Sequence, residues 1–389
     1  MNNLFFLLYT LLSLIIYLAA FPFFFLFSFK TKYRDSIPAR FFLWKNSALK
    51  SDGIWFHACS FGEVKAIKPL VDVLPPELLR MSTTTNTGFN AAKEYTQQSR
   101  YLPFEPLLFF WVKPQKILLV MEAEFWYLLF ALAQKRGAKT LLINARMSDR
   151  SFPKYQRMGW LYRQIFKHID EVYAQTKLDK ERLEVLGAQN VQVTGNIKLS
   201  KLPEVSKKLE KPDVLLLCGA STHQGEEALI LDAFSDFRKN EKEAKLVLVP
   251  RHPERFDKVS QMVEVFAKEH DLHWHRYSQN ENFDSDIVVV DTLGELVNIY
   301  AISDIVILGG AFEPIGGHNA AEAAQFGCKI ISGEHYFNQK DIFEAVEGIA
   351  VVEASNLSRR LSQHTLLKAA KIKHRSDILP IVTSIHSTL

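Results

Sequence analysis

The stretch WFHACSFGEVKA, Trp55 to Ala66, decides the fold. Ile54 to Ala58 reads as a short buried strand, Ser60 and Gly62 turn the chain, and Val64 to Leu74 reads as a helix. Glu63 therefore falls in the first turn of a helix, at the C-terminal edge of a strand. In open α/β sheets that edge is where ligands bind. Two readings of Glu63 stand side by side. A carboxylate there complements the helix dipole, worth about 0.3–1 kcal/mol, or it does chemistry.

Outward from this junction the same unit repeats. Ile54–His57, Lys116–Met121, Thr140–Ile143, Glu171–Ala174 and Val191–Thr194 read as buried strands, separated by helical stretches such as Gly88–Gln98 and Phe125–Arg136. The segment LSKLPEVSKKLEKPD, Leu199 to Asp213, is polar and lysine-rich with two prolines and reads as a linker. A second series follows: Val214–Cys218, Leu246–Val249, Ile287–Val290, Ile305–Leu308, Lys329–Ile331 and Ile349–Val352. Helices at Glu226–Arg238, Glu254–His270 and Ala320–Gly327 alternate with them. Continuous apolar strands alternating with helices mean parallel sheets covered on both faces. The expected fold class is α/β, with two Rossmann-like domains facing a cleft. No Gly-x-Gly-x-x-Gly follows a first strand and no Walker sequence occurs, so neither a dinucleotide nor a nucleoside triphosphate is indicated.

Composition agrees with two folded domains. The chain has 389 residues, 48% hydrophobic and 23% charged, which exceeds one hydrophobic core and argues against extensive disorder. A net charge of +4 is too small to imply nucleic acid. The three cysteines, Cys59, Cys218 and Cys328, lie far apart in or beside apolar runs, so free thiols in a reducing compartment are expected. None of the 12 histidines stands in a His-x-x-x-His or Cys-x-x-Cys arrangement, and no metal site is expected from spacing.

The N-terminus has a different solvent in view. Leu4 to Phe29 carries no charge and is rich in Leu, Ile and Phe, long enough to cross a hydrocarbon core of about 30 Å. No Lys or Arg precedes it, which fits a cleaved signal peptide poorly. Pro22 is placed to kink it, and partial insertion into one leaflet is the alternative to a span. Lys30, Lys32, Arg34, Arg40, Lys45 and Lys50 follow, against Asp35 alone. By the positive-inside rule the bulk of the protein faces the cytoplasm. The basic cluster, interleaved with Phe41, Phe42 and Trp44, suits anionic lipid headgroups.

The second half carries four loops at strand ends. In CGASTHQGEE, Gly219 to His223 reads as a small-residue loop before a helix opening near Gln224, a start whose N–H groups can hold an anion. In LVPRHPERF, Arg251 and Arg255 flank His252 and suit a phosphate or carboxylate. DTLGEL places Glu295 at a helix entry. In LGGAFEPIGGHNAAEAAQFG, Gly309-Gly310 and Gly316-Gly317 permit close backbone approach, His318 and Asn319 cap a helix, and Glu322 lies in its first turn. Together these loops suit a nucleotide, with carboxylates for ribose hydroxyls and basic groups for a phosphate. Asp284-Ser285-Asp286 looks like a DxD metal motif, but it precedes a strand and reads as a solvated loop.

These residues resemble the 3-deoxy-D-manno-octulosonic acid (Kdo) transferases of lipopolysaccharide synthesis, glycosyltransferase family 30. The resemblance runs through SFGE, STTTNTG, MEAEFW, NARMSDRS, GNIK, STHQGEE, VPRHPERF, DTLGEL and GGHNAAE, and covers nearly the whole chain. It implies a GT-B fold. It also implies transfer of Kdo from CMP-Kdo to the 6′-hydroxyl of a lipid A precursor, with inversion, at the cytoplasmic face of the bacterial inner membrane, without a metal or other cofactor. On it the domains become a membrane anchor over 1–29, a lipid-acceptor domain over 30–200, a linker over 201–213 and a CMP-Kdo domain over 214–389, the last helix packing back on the N-terminal domain. By position, Glu63 looks like the general base, and Glu122 and Lys198 look like stabilisers of the transition state. Ser221, Thr222, His223, Pro250, Arg251, Leu293, Gly294, Glu295, Gly316, Gly317, His318, Asn319 and Glu322 match the nucleotide-binding segments. The chain departs from the pattern at Leu199-Ser200, where many relatives carry an aromatic and an aspartate, which leaves open what orients Lys198. It departs again at SGEHYFN, where GPHTFN is commoner. The rival readings are a GT-B enzyme using a UDP-sugar, whether transferase or 2-epimerase, and a non-catalytic membrane-anchored binding module.

Overall fold

A computed structural model describes residues 3–373 and 376–389 of the chain. It divides into two compact units, one of Met1–Lys201 with Arg375–Leu389, the other of Leu202–His374.

Unit 1 opens with α1 (Asn3–Phe27) and α2 (Ser36–Phe42) and then builds a sheet of seven parallel strands. These are β1 (Ile54–His57), β2 (Leu79–Thr83), β3 (Ser99–Tyr101), β4 (Ile117–Met121), β5 (Lys139–Ala145), β6 (Glu171–Ala174) and β7 (Val191–Val193), in the order β3-β2-β1-β4-β5-β6-β7. The order reverses between β1 and β4, which pair Ile54 with Ile117 through His57 with Val120. The C-terminal side of such a reversal is the crevice where open α/β sheets bind ligands. Leu141, Ile143, Leu119 and Phe56 are fully buried, as strands covered on both faces require. The C-terminal helix, Leu379–His386, belongs to this unit: Ile381 and Ile385 enter its core, and Ser384 donates to Glu171 at 2.6 Å.

The helix expected over Val64 to Leu74 is two short ones, α3 (Phe61–Ala66) and α4 (Lys68–Val71). Pro69 lacks the N–H that would continue the ladder to Lys65, so the chain restarts there. β2 and β3, absent from the sequence-based expectation, carry Arg80, Ser82, Thr83, Ser99 and Arg100, whose polar character hid them.

α1 lies against unit 1. Tyr9 donates to Glu105 at 2.7 Å and Tyr17 to the Phe41 carbonyl at 2.6 Å, while Phe24 stacks on Phe41 with ring centroids 3.8 Å apart. The opposite face, including Leu4, Leu8, Leu11, Leu12 and Ile15, is exposed. Leu4–Phe27 is long and apolar enough to cross a membrane, with mean hydropathy 2.4.

Unit 2 holds β8 (Leu216–Thr222), β9 (Lys245–Pro250), β10 (Trp274–Arg276), β11 (Ile287–Val289), β12 (Ile305–Leu308) and β13 (Lys329–Ser332). After them come β14 (Val346–Glu347), β15 (Ile349–Val351) and β16 (Lys371–Ile372). Its seven-stranded parallel sheet runs β10-β11-β9-β8-β12-β13-β15, and β14 pairs antiparallel with β16. Here the order reverses between β8 and β12. The segment 202–213 is packed on this unit: Ser206 and Lys207 donate backbone N–H groups to Asn298, and Lys211 pairs with Asp304 at 2.5 Å. Asp286 of the DxD-like triplet is no solvated residue. It pairs with Arg238 at 2.5 Å and accepts from His273 N–H at 2.8 Å, at the N-terminal edge of β11. Two Rossmann-like parallel sheets preceded by one long apolar helix are the GT-B fold class expected above.

Candidate functional site

Each sheet reversal carries its own cluster. In unit 1, Ser60 caps α3: its hydroxyl accepts from the Glu63 N–H at 3.3 Å and donates to Glu63 Oε1 at 2.8 Å. Glu63 Oε2 accepts from the Cys59 N–H at 2.8 Å. The carboxylate thus completes a reciprocal cap, so the structural reading of Glu63 is real. It does not exhaust the residue, because burial lifts the Glu63 pKa above the ordinary carboxylate value. The hydrogen bonds from Ser60 and Cys59 oppose that shift, and the charges of Glu122 and Glu124 add to it. Phe61, next to Gly62 in the same turn, is itself 51% exposed.

Glu122 follows β4 directly and adopts a left-handed backbone, φ 55°. A non-glycine residue held there costs on the order of 1–3 kcal/mol and marks a backbone that its surroundings over-determine. Glu124, two residues on, accepts from Trp126 Nε1 at 2.8 Å. β1 and β4 are adjacent, so three carboxylates converge on the reversal.

The loop STTTNTG clamps the corner before Glu63. Thr84 and Thr85 donate their hydroxyls to the Cys59 carbonyl at 3.2 and 3.0 Å. Gly88 leaves room for this clamp, since a Cβ there would stand 2.9 Å from Thr85 Oγ1 and 3.1 Å from that same carbonyl. What holds Lys198 is also visible. Its N–H donates to Asn196 Oδ1 at 3.1 Å, and the Ile197 N–H beside it donates to Asn144 Oδ1 at 3.0 Å. Asn144 is itself left-handed, φ 53°. The backbone turn is therefore set by two asparagines, from NARMS and GNIK, and closed by Ser200, whose hydroxyl donates to the Ile197 carbonyl at 2.7 Å.

In unit 2 the strand β8 runs on through Thr222, so the loop expected over Gly219 to His223 is only His223 to Gly225. Ser221, at φ 51°, mirrors Glu122. The N–H groups expected to receive an anion are partly taken by the protein. Glu226, fully buried, accepts from His223 N–H at 3.0 Å, Gly310 N–H at 2.8 Å and Phe312 N–H at 3.1 Å. Its pKa is nonetheless raised, burial outweighing those bonds. Gly309 makes this approach possible, since a Cβ on it would lie 2.8 Å from the Glu226 carboxylate. Gly316 and Gly317 also serve the fold: both N–H groups donate to the Gly310 carbonyl, and a Cβ on Gly316 would strike Asn338.

The two arginines separate. Arg255 pairs with the buried Glu227 at 2.7 Å, and Thr222 donates to the same carboxylate at 3.0 Å. Arg251, after Pro250 at the end of β9, is exposed, and its N–H donates to the Thr222 carbonyl at 3.0 Å. His223 Nε2 lies 2.9 Å from His318 Nε2 with the rings stacked, and His252 meets His223 edge-on with centroids 5.3 Å apart. Burial, with His223, Arg251 and His252 nearby, pushes His318 down to about 4. Asn319 caps the helix Ala320–Ala324, accepting from Ala321 N–H at 3.0 Å and donating to Glu322 Oε1 at 3.2 Å. Burial raises the Glu322 pKa, against the Asn319 bond and the Arg251 charge. His223, Arg251, His318, Asn319 and Glu322 are thus one neighbourhood. Glu295 turns elsewhere, to Asn298 at 2.9 Å, beside the left-handed Gly294 and the exposed Leu293.

Residue-by-residue reading misses Glu226 and Glu227, although both stand in STHQGEE. Nor does it bring together His57, Cys59 and Glu124, whose ligand atoms lie within 4.8 Å of one another.

Two Rossmann-like parallel-sheet units, with a carboxylate cluster at one reversal and a basic, histidine-rich one at the other, belong to the GT-B fold class. Residues 35–201 match the family described as 3-deoxy-D-manno-octulosonic-acid transferase (kdotransferase). A 3-deoxy-D-manno-octulosonic acid transferase of Haemophilus influenzae is 31% identical over 371 residues, covering 88% of this chain and 86% of that one. One from Bordetella pertussis is 32% identical over 317 residues, 74% of this chain and 72% of the relative. A bifunctional glycosyltransferase/methyltransferase of Fusobacterium nucleatum is 32% identical over 324 residues, 75% of this chain; the chain spans about half of that longer protein, 49%. The chain belongs to the Kdo transferase family.

Proposed function

We propose that this chain transfers Kdo from CMP-Kdo, with inversion, to the 6′-hydroxyl of a lipid A precursor and releases CMP. The observation that carries the reading is Glu63. It is fixed by Ser60 and the Cys59 N–H, and its pKa is raised by burial and two neighbouring carboxylates, which brings a carboxylate toward the range useful to a general base. Glu63 takes the proton of the acceptor hydroxyl as the donor bond breaks. Lys198 offsets the charge growing on the departing CMP phosphate, and Glu122 supports the developing positive charge on the sugar. In unit 2 Arg251 and the neutral pair His223–His318 receive the phosphate, Leu293 and Gly294 with Asn319 and Glu322 receive the nucleoside, Glu295 holds Asn298, and Glu226 keeps the glycine backbone in place. The tether of α1 to Glu105 and Phe41, with its outer face left apolar, supports an anchor seated at the cytoplasmic face of the inner membrane.

Mass spectrometry of the product from CMP-Kdo and a tetraacyl lipid A disaccharide tests the reaction. A gain of Kdo on the lipid with stoichiometric CMP is expected. Intact acceptor, with UDP and not CMP raising the melting temperature, would replace the reading by a UDP-sugar enzyme.

A further inference from the structure

The corner before Glu63 holds a second constellation. His57, at the end of β1, is fully buried, and its Nδ1 lies 3.1 Å from the Ser82 carbonyl and 2.9 Å from the Ser82 hydroxyl. A carbonyl only accepts, so Nδ1 carries the proton and Nε2 keeps its lone pair. That lone pair faces Cys59 Sγ at 3.5 Å. A carboxylate oxygen of Glu124 lies within 4.8 Å of both atoms.

We propose that His57 Nε2, Cys59 Sγ and a Glu124 carboxylate oxygen form a three-ligand site for a thiophilic divalent cation, zinc above all. Zinc stands about 2.3 Å from sulfur and about 2.0–2.1 Å from imidazole nitrogen in tetrahedral sites, which sets their mutual separation near 3.6 Å. The observed 3.5 Å between Nε2 and Sγ is that edge. Ser82 orients the imidazole from its far nitrogen, and Trp126 Nε1 holds the Glu124 carboxylate at 2.8 Å. Charge also balances. Binding converts the Cys59 thiol to a zinc-bound thiolate and releases one proton to solvent. Thiolate and carboxylate then neutralise the ion. Arg40 opposes a cation here, whereas Glu63 and Glu122 favour one. Three protein ligands leave a fourth position open. An ion there clips the β1–α3 corner to the turn after β4, the two segments that carry Glu63 and Glu122. The proposal rests on the geometry of unit 1 alone and not on the transfer reaction.

The alternative is a plain thiol-to-imidazole hydrogen bond, and cobalt separates the two. Full-length, reduced, metal-stripped protein is titrated with Co²⁺ and then with Zn²⁺. One equivalent per chain should give a near-ultraviolet sulfur-to-cobalt charge-transfer band, erased by zinc. Cys59→Ser should abolish the band, Glu124→Gln should weaken cobalt binding at least tenfold, and Cys328→Ser should change nothing. Melting curves confirm that each variant is folded, and His57, whose loss threatens the core, is left alone. No band in the wild type overturns the site. So does a band that survives Cys59→Ser, or a Glu124→Gln variant with wild-type cobalt affinity.

Discussion

Unit 1 and unit 2 share a plan and differ in chemistry. Both are seven-stranded parallel sheets whose order reverses once, between β1 and β4 in one and β8 and β12 in the other. Each reversal also carries a left-handed non-glycine residue at or just past the end of a strand, Glu122 in the first and Ser221 in the second. The side chains then diverge. Burial raises the Glu63 pKa and the carboxylates around it add to the shift, while burial lowers that of His318, and His223, Arg251 and His252 add to that shift. Topology determines where a site forms in this fold, and the loops determine its sign. A carboxylate held among carboxylates is suited to accept a proton, and neutral imidazoles beside an exposed arginine are suited to receive an anion.

The largest test of that contrast is Glu63→Gln. Glutamine also completes a reciprocal cap, so the Ser60 and Cys59 bonds have a replacement partner and the melting temperature should move little. The amide cannot take a proton. Transfer should fall by about 10²–10⁴, or about 3–5 kcal/mol at 1.36 kcal/mol per tenfold. Rate and melting temperature are measured on the one variant. A normal rate would reduce Glu63 to its cap and move the search for a base to Glu122 and Glu124.

Next come the arginines of VPRHPERF, which sequence cannot tell apart. Arg255→Ala leaves Glu227 buried without its cation and should destabilise unit 2 by about 3–5 kcal/mol, read as a lower denaturant midpoint. Arg251→Ala should leave stability within about 0.5 kcal/mol, as for an exposed side chain. It should instead weaken CMP binding by about 1.5–3 kcal/mol, the worth of a hydrogen bond to a charged group. Calorimetry with CMP and chemical denaturation, run on both variants, decide it. Equal losses of affinity with unchanged midpoints would place both arginines on the ligand.

That pair also shows how far the sequence can be read. β1, β6 and β12 have the bounds expected of them, because a strand buried on both faces is mostly apolar and leaves a short run in the sequence. β2 and β3 escape because Arg80, Ser82 and Arg100 find backbone and ring partners that no local pattern reveals. Among the candidate site residues, Glu63 and Arg251 draw notice from their place after a strand. Glu226 and Arg255 are not: each has the same local signature as a ligand-binding residue, and only the backbone of Gly310 and the carboxylate of Glu227 show that they serve the fold. The cluster of His57, Cys59 and Glu124 joins residues from two strand ends distant in sequence, so no spacing rule reaches it.

The smallest effect is on stability against pH, and here the two units should answer with opposite sign. Glu63 has a raised pKa in the folded chain, so between its unfolded value and the folded one the native state binds more protons than the unfolded state. Stability then falls as pH rises through that window. His318 has the reverse shift, from an ordinary 6.5 down to about 4. The native state there binds fewer protons, so its contribution is present above 6.5 and is lost as pH falls from 6.5 toward about 4. Melting temperatures of the wild type, Glu63→Gln and His318→Gln across mild acid separate the two terms by difference. Against the wild type, Glu63→Gln should gain stability as pH rises through the carboxylate window, because it no longer carries a charge that burial disfavours. His318→Gln should lose its deficit on acidification, because the wild type must then protonate a buried imidazole and the variant need not. Differences that stay flat with pH would mean that neither cluster holds its central residue away from its ordinary protonation, and the contrast between the two reversals would then rest on geometry alone.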